Sequence, residues 1–491
     1  MTNNHYDTII IGAGHNGLVA AAYLAKAQKK VLVLERRSIV GGTVVTENFG
    51  GHFSVDAIHT GGRLRPDIVK DLKLNLPVVK NPPPFISLQP DGNHLTLNAE
   101  SIKRFSEKDA ARWPEFVRFM DTSARILEKA YATIMPRLPM NFGVQEGFGL
   151  MELGLKLKLA GRKDMLNFIR ALPMTAQELV EEYFESEVVK AAICAVAIHG
   201  STLGPMGAGT GYTLIHNWLN RGGLAHVNAG QAGELTAELA RVVKTHGGEI
   251  RTEAEVASVK VENQIAKGVV LTNGEEISAD VVISAADPKH TLLKLVGPRE
   301  LPPEFVWHTQ SIKMRGSVAK VHLLTDGKHG IPAGTHVLAP SIKYLERAYD
   351  ASKYGEISEQ PYLEVTASGY TVSVHFQFAP YALKNGNWKV ESDKVAELAL
   401  KALEEYFPAL HASRVTQHII TPQDLESTYG LTEGDLNHGQ LMLDQFLFMR
   451  PIPGWSNHKT PIDNLYLCGS GVHGGGGVSG AAGRNVVKVL K

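Results

Sequence analysis

The chain is expected to be an α/β protein, with a Rossmann-like dinucleotide-binding domain carrying an inserted mixed sheet-and-helix (α+β) substrate region. Its two ends predict this. At the N-terminus Asp7-Thr8-Ile9-Ile10-Ile11 reads as a buried strand and runs into Gly12-Ala13-Gly14-His15-Asn16-Gly17; an alanine-rich helix (18–27) and a second strand, Val31-Leu32-Val33-Leu34, follow and end on Glu35. At the C-terminus the strand-like Asn464-Leu465-Tyr466-Leu467-Cys468 runs into eight glycines between positions 469 and 483, then into a last helix.

Each part of the first signature has a job. Gly12 allows the tight turn, Gly14 lets backbone approach a pyrophosphate, and Gly17 lets helix and strand lie close. The helix start offers amide hydrogens and a positive dipole end to phosphate. Glu35 falls 23 positions after Gly12, where a carboxylate accepts from ribose hydroxyls; Arg36 follows it. Gly41-Gly42-Thr43 is a second glycine pair, read either as another passage near the phosphates or as a simple loop. The C-terminal glycines repeat the logic, because that density is too costly for helix interior unless backbone must approach something closely.

Length and composition bound the rest. At 491 residues, two or three domains are expected, with room to enclose a cofactor. Lys+Arg and Asp+Glu balance at 50 each, so no global basic field favours nucleic acid. The two cysteines, Cys194 and Cys468, lack CxxC spacing, which argues against a disulfide framework, a zinc site or a redox dithiol; no metal is expected. The first strand begins too early for a signal peptide and no long apolar run is present, so a cytoplasmic enzyme is the expectation.

Residues 100–200 read as helical (110–132, 150–159 and 174–184), with Thr175 and Glu178 spaced as a capping box. The Leu–Lys alternation of 150–159 fits either a strand or a helix resting peripherally on anionic lipid. A helix at 230–244 precedes short strands at 249–252, 257–262, 267–271 and 276–278, with Asn273-Gly274 as a hairpin turn, and then a separate buried strand at 280–286 that includes Ala285. Strands at 318–324, 363–367 and 371–378 and a helix at 392–407 are read as chamber walls. The resulting division is a cofactor domain in three pieces, 1–80, 225–300 and 451–491, with a helical and substrate region at 81–224 and substrate-domain sheet and helices at 301–450.

With these motifs in place, the chain resembles the phytoene-dehydrogenase-related branch of the FAD-dependent amine-oxidase-like superfamily, which includes carotenoid desaturases and isomerases, retinol saturase and dithiol-free pyridine-nucleotide-disulfide-oxidoreductase-domain proteins. Gly12 to Gly17 with Glu35 to Gly42, Gly61-Gly62-Arg63-Leu64-Arg65-Pro66, Ser284-Ala285-Ala286-Asp287-Pro288, and 465–485 carry the resemblance across nearly the whole chain. It implies FAD in the fingerprint, with Arg36, Gly41, Gly42, Thr43 and Ala285 among the residues that bind it, Glu35 on the adenosine ribose, Val256 on adenine, and Gly469, Gly471, Gly476, Gly477 and Val478 bordering the flavin. The chain departs from the family pattern at Gln28, where the helix usually ends in glycine.

The implied activity is an FAD-dependent oxidoreductase, a desaturase, dehydrogenase or oxidase that moves hydride from a hydrophobic or amphipathic small molecule to flavin N5 and forms a C=C bond. Oxygen or a quinone is the expected acceptor, since Gly207-Ala208-Gly209-Thr210-Gly211 has no feeding strand to make a second fingerprint. A flavin amine oxidase, a redox-neutral isomerase working on reduced flavin and a non-catalytic prenyl- or lipid-binding escort protein stay open. His473 and His59 are the catalytic candidates, with backbone hydrogen bonding as the alternative for His473. Asp56 reads as a brace, and Tyr212, His216, Trp218 and His375 are candidate pocket residues, with plain packing as the alternative.

Overall fold

The computed structural model describes residues 5–49, 51, 53–58, 64–76, 83–136, 144–159, 161–221 and 231–490. Its central sheet is built around one long strand, Glu276–Ser284. The first half of that strand runs antiparallel to Ile265–Leu271, with Ile277 opposite Val269. Its second half lies parallel to both His5–Ile11 and Leu465–Leu467, so Val282 has Ile9 on one side and Leu465 on the other. The separate strands expected at 276–278 and 280–286 are therefore one element. Ser278 sits at the changeover, paired with Gly268 on one edge and His5 on the other. Val31–Leu34 and Glu249–Arg251 extend the sheet beyond the first strand, and Val256–Glu262 closes the far edge. All these strands fall within 1–80, 225–300 and 451–491.

Small residues let the layers approach. The helix His15–Lys26 lies against the helices Ala481–Val489 and Ala232–Thr245. A Cβ on Gly17 would stand 2.2 Å from the Gly12 carbonyl oxygen, and one on Gly483 would stand 2.1 Å from that of Asn16. The first helix ends with Gln28 in the left-handed region at φ 61°, so a side-chain-bearing residue takes the conformation that glycine adopts most readily.

A second sheet runs Arg414–Ile420, Val318–Thr325, Thr371–Gln377, Tyr362–Ser368, Thr335–Val337, Phe85–Ser87 and Leu95–Thr96. Alternation divides its faces. Ala319, Val321, Leu323, Leu363, Val365, Val372, Val374 and Phe376 share an apolar core with the helix Trp388–Glu404, the opposite face being polar. A third layer of helices, including Glu107–Tyr131, Glu187–Ile198 and Thr210–Arg221, surrounds its own core. The capping box at Thr175 and Glu178 is formed. Residues 150–159 belong to a helix, Val144–Leu159, which removes the strand reading. No helix among the described residues is long and apolar enough to cross a membrane.

Gly483→Ala is expected to destabilise the protein by about 3 kcal/mol, because the overpacked carbonyl belongs to helix backbone. Urea unfolding measures this, and an unchanged midpoint would show that the two helices separate freely.

Candidate functional site

Both ends of the chain converge on one cleft. Gly12, Gly14, His15, Asn16 and Gly17 form one wall and residues 34–37 and 41–43 the next; Ala254, Glu255, Val256, Ala285 and Ala286 follow, and Gly469, Ser470 and Gly477 come from the C-terminal loop. Residues 429–431, Leu436 and His438 close it from the side of the second sheet.

The wall is prepared for a nucleotide in several independent ways. The helix His15–Lys26 begins at Gly14 with no side chain capping it, leaving its positive end toward the cleft. A Cβ on Gly14 would meet no protein atom within 4 Å, so that glycine leaves space for something the protein itself does not supply. Glu35 is buried, and its two oxygens accept from the Ala13 N–H (2.9 Å) and the Arg37 N–H (3.0 Å), which fixes the carboxylate while leaving further lone pairs for hydroxyl donors. Most tellingly, His15 Nε2 and His438 Nδ1 are buried nitrogens in this lining without a hydrogen-bond partner among the described residues. Such groups are normally satisfied, so a polar ligand is the missing partner. The residues present fit FAD.

Neither His15 nor His438 stood out from the sequence. The signal for His15 was its place at the first helical position of the fingerprint; His438 lies in no motif, 150 residues after Pro288 and 27 before Leu465. Arg450 shapes the loop that carries His438. Its guanidinium is buried and donates only to backbone carbonyls, among them Asn437 (2.6 Å), Gly439 (3.1 Å) and Ser470 (2.8 Å), tying that loop to the C-terminal glycines. On the opposite rim Arg36 donates to the Ser427 and Thr428 carbonyls (both 2.8 Å), and the Arg37 guanidinium lies over the Tyr429 ring.

Twelve residues expected from the sequence to bind the cofactor line the cleft: Gly12, Gly14, Gly17, Glu35, Arg36, Gly41, Gly42, Thr43, Val256, Ala285, Gly469 and Gly477. Gly471, Gly476 and Val478 are not in its lining. A Cβ on Gly471 would strike Pro288 at 2.4 Å, one on Gly476 would come 3.0 Å from His216, and Val478 is buried in the core beneath the fingerprint helix, so close protein packing accounts for all three.

The catalytic and pocket candidates separate. His473 does not line the cleft; it is buried with its Nε2–H donating to the Ala130 carbonyl (3.0 Å) at the end of Glu107–Tyr131. This is the backbone-bonding alternative. His59 lies outside the described residues. Tyr212 and His216 are joined through Tyr131, whose hydroxyl lies 2.9 Å from Tyr212 Oη and 2.8 Å from His216 Nδ1, in a buried chain behind Gly476. Trp218, on the same helix, points elsewhere; its ring meets Trp113 and Phe116 in the helical core and its Nε1–H donates to Asp121. His375 stacks on His199 at 4.7 Å on the polar face of the second sheet. Asp56 is a brace, accepting from Thr46 Oγ1 and the Ala232 N–H, both at 2.8 Å.

With this geometry described, comparison with known proteins places the chain. Residues 17–484 match the family described as flavin containing amine oxidoreductase. A relative in Rattus norvegicus, pyridine nucleotide-disulfide oxidoreductase domain-containing protein 2, is 32% identical, with 99% of this chain and 93% of the relative covered. The lycopene-forming phytoene desaturase of a Paracoccus species is 25% identical over 97% of this chain and 95% of its own. Among solved structures, an oxidoreductase from Methanosarcina mazei shares the fold with a TM-score of 0.62 at 17% identity, covering 99% of this chain and all of the other.

Gly14→Ala is expected to leave unfolding of the cofactor-free chain unchanged while weakening FAD retention by about tenfold or more, equivalent to about 1.4 kcal/mol. Equal loss of both in urea titration and flavin-fluorescence release would make Gly14 a folding residue instead. Burial also holds His15 and His473 at a pKa of about 4 and His216 and His322 at about 3, against an ordinary 6.5. Above pH 6.5 they are neutral in both states. Below it the unfolded chain takes up protons that the folded chain refuses, so stability falls as pH drops from 6.5 toward 4. The slope is about 1.4 kcal/mol per pH unit for each fully buried histidine, readable as a falling urea midpoint. A midpoint flat between pH 7 and 5 would contradict their burial.

Proposed function

The chain belongs to the flavin containing amine oxidoreductase family and FAD is its cofactor; on that premise we propose that it is a dehydrogenase, of desaturase or oxidase type, acting on a hydrophobic or amphipathic small molecule and forming a C=C bond. The observation that carries this reading is the nucleotide cleft, walled by both chain ends and holding histidine nitrogens that have no hydrogen-bond partner among the described residues. When bound, FAD supplies the hydride acceptor. The chain's own groups hold and orient. Glu35 would accept from the adenosine ribose, the start of the helix His15–Lys26 with Gly14 and Gly42 would take the pyrophosphate, and His15 and His438 would donate into the cofactor.

Other redox routes find little support. Cys194 lies in the helical core and Cys468 beneath the central sheet, both buried and free, and burial pushes both thiols up, so disulfide exchange has no paired nucleophile. Gly211 lies in the helix Thr210–Arg221, where a Cβ would meet the Ala171 carbonyl oxygen at 2.2 Å; packing, not a second nucleotide, accounts for it. Oxygen or a quinone is therefore the acceptor in this reading. The name of the Paracoccus relative, a phytoene desaturase, supports C=C formation and an apolar substrate body. An approach from a membrane surface is part of the proposal, because Phe148, Met151, Leu155 and Leu159 recur along one face of their helix and are 54–75% exposed.

Anaerobic mixing of the FAD-loaded protein with terpenoids, cyclic ketones and amines tests the reading. Loss of the oxidised flavin band with a terpenoid or ketone is the expected result. Bleaching by amines alone, or rapid bleaching by NADH or NADPH, would overturn it.

A further inference from the structure

Behind the glycine turn of the cofactor cleft lies a smaller cavity, bordered by a hydrogen-bond chain that does not close. Gly477 lines the cleft, and its neighbour Gly476 lines the cavity together with Arg65, Glu128, Tyr131, Asn220 and Ser479. One turn of backbone therefore separates the two spaces. Asn220 comes from the helix Thr210–Arg221, on which Tyr212, His216 and Asn220 follow at intervals of four and share a face. Tyr131 ends the helix Glu107–Tyr131 and meets that face with its hydroxyl. Tyr131, Tyr212 and His216 are all buried.

The hydrogens of this chain can be assigned one by one. Asn220 Nδ2 lies 2.9 Å from the His216 carbonyl oxygen, which fixes it as the donor end of the amide, and it also lies 3.1 Å from His216 Nε2. His216 Nε2 therefore accepts, and the ring carries its hydrogen on Nδ1, 2.8 Å from Tyr131 Oη. Burial keeps His216 neutral, with its pKa held at about 3, and pushes both phenols up, so Tyr131 and Tyr212 keep their protons. Three hydrogens, on His216 Nδ1, Tyr131 Oη and Tyr212 Oη, thus share two contacts, Tyr131 with His216 and Tyr131 with Tyr212 at 2.9 Å. One phenolic hydrogen is left without an acceptor among the described residues. When Tyr212 donates to Tyr131, that hydrogen is Tyr131's own, and Tyr131 is the phenol in the cavity lining. Buried donors are normally met, so the cavity's guest brings the acceptor. On the same wall Asn220 Oδ1 has no hydrogen-bond partner among the described residues. It rests against the cleft's own backbone, since a Cβ on Gly477 would stand 2.6 Å from it.

The charged members of the lining are already committed. Arg65 donates through Nε and Nη2 to Asp67 (3.1 Å each) and through Nη1 to the Glu128 carbonyl (2.9 Å), and Glu128 is engaged as well. We propose that this cavity receives a neutral hydroxyl at one end of the substrate, which accepts from Tyr131 and donates to Asn220; this deepens the oxidoreductase reading above and rests on it. A hydroxyl is the simplest group that meets a spare donor and a spare acceptor together. An ammonium has no lone pair for Tyr131, an ether or ketone has no hydrogen for Asn220, and a hydrocarbon leaves both unmet. Ligand pockets use a few such polar groups to fix orientation, and these two stand one backbone turn from the cofactor cleft. Tyr131 and Asn220 are thereby specificity-determining residues.

Isothermal calorimetry on the FAD-loaded protein tests it with three probes on one terpenoid skeleton: geraniol, geranyl methyl ether and geranylamine. The expected order places geraniol about tenfold or more tighter than either other probe. Asn220→Ala should bring geraniol down to the level of the ether and leave the ether where it was, whereas Tyr131→Phe should weaken both. Equal affinities for alcohol and ether, a preference for geranylamine, no measurable binding of geraniol, or an Asn220→Ala variant that keeps the wild-type order would overturn the proposal. If neither variant yields folded protein, the wild-type ranking decides alone. Calorimetry reads binding without turnover, so a failure of hydride transfer to flavin appears in the anaerobic assay and leaves this ranking legible.

Discussion

The structure depends on one strand being shared. Glu276–Ser284 is the only strand of the central sheet, among the described residues, that touches the first strand, the last strand and the antiparallel meander together. A residue here must satisfy backbone partners on both edges while its side chain is buried, which explains the run Val281-Val282-Ile283 and the small Ser284-Ala285-Ala286 that end it. Those small residues open the floor under the glycine turns. Gly12 lies against Ala285, and a Cβ on Gly469 would reach the Ala285 carbonyl oxygen at 2.5 Å. The two chain ends, more than 450 positions apart, thus close on each other with backbone alone, and the cleft is what remains between them.

Around that cleft the electrostatic arrangement combines the Glu35 carboxylate with neutral imidazoles and main-chain dipoles. Burial keeps His15 and His438 below their ordinary pKa; His438 pushes His15 further down, while for His438 the nearby Asp287 carboxylate opposes the shift and Arg450 and His290 add to it. Arg450 is a buried cation, and its neutralisation is spread over carbonyl oxygens of two loops. A guanidinium suits this, having five donors in a fixed fork, and it binds the loop of His438 to that of Ser470 without placing a carboxylate beside an anionic cofactor.

Much of the cofactor half was legible in the sequence because its constraints are local. A tight turn, a close backbone approach and a helix start must occur within a few residues of one another, so Gly12, Gly14, Gly17 and Glu35 announce themselves. The C-terminal glycines were legible as a group and misleading one by one. Gly477 reaches the cleft, but Gly471 and Gly476 are small because Pro288 and His216 crowd them from distant parts of the chain. Likewise His473, inside the most suggestive loop of the sequence, spends its donor on Ala130, which no local pattern could reveal. Trp218 and His216 are two residues apart on a helix, which turns them to different sides, one to the aromatic core and one to the glycine loop.

By itself the sequence determined the nucleotide-binding class, the paired glycine turns at the two ends and the expectation of FAD, because each follows from spacing over a dozen residues or from motifs read in order. Only the tertiary structure decided which glycines face a ligand and which face protein, and that His15 and His438 bring into one cleft nitrogens with no hydrogen-bond partner among the described residues. Those facts depend on strand register and on contacts between residues tens to hundreds of positions apart, and side-chain alternation cannot state which face of a sheet is inward until the layers are in place.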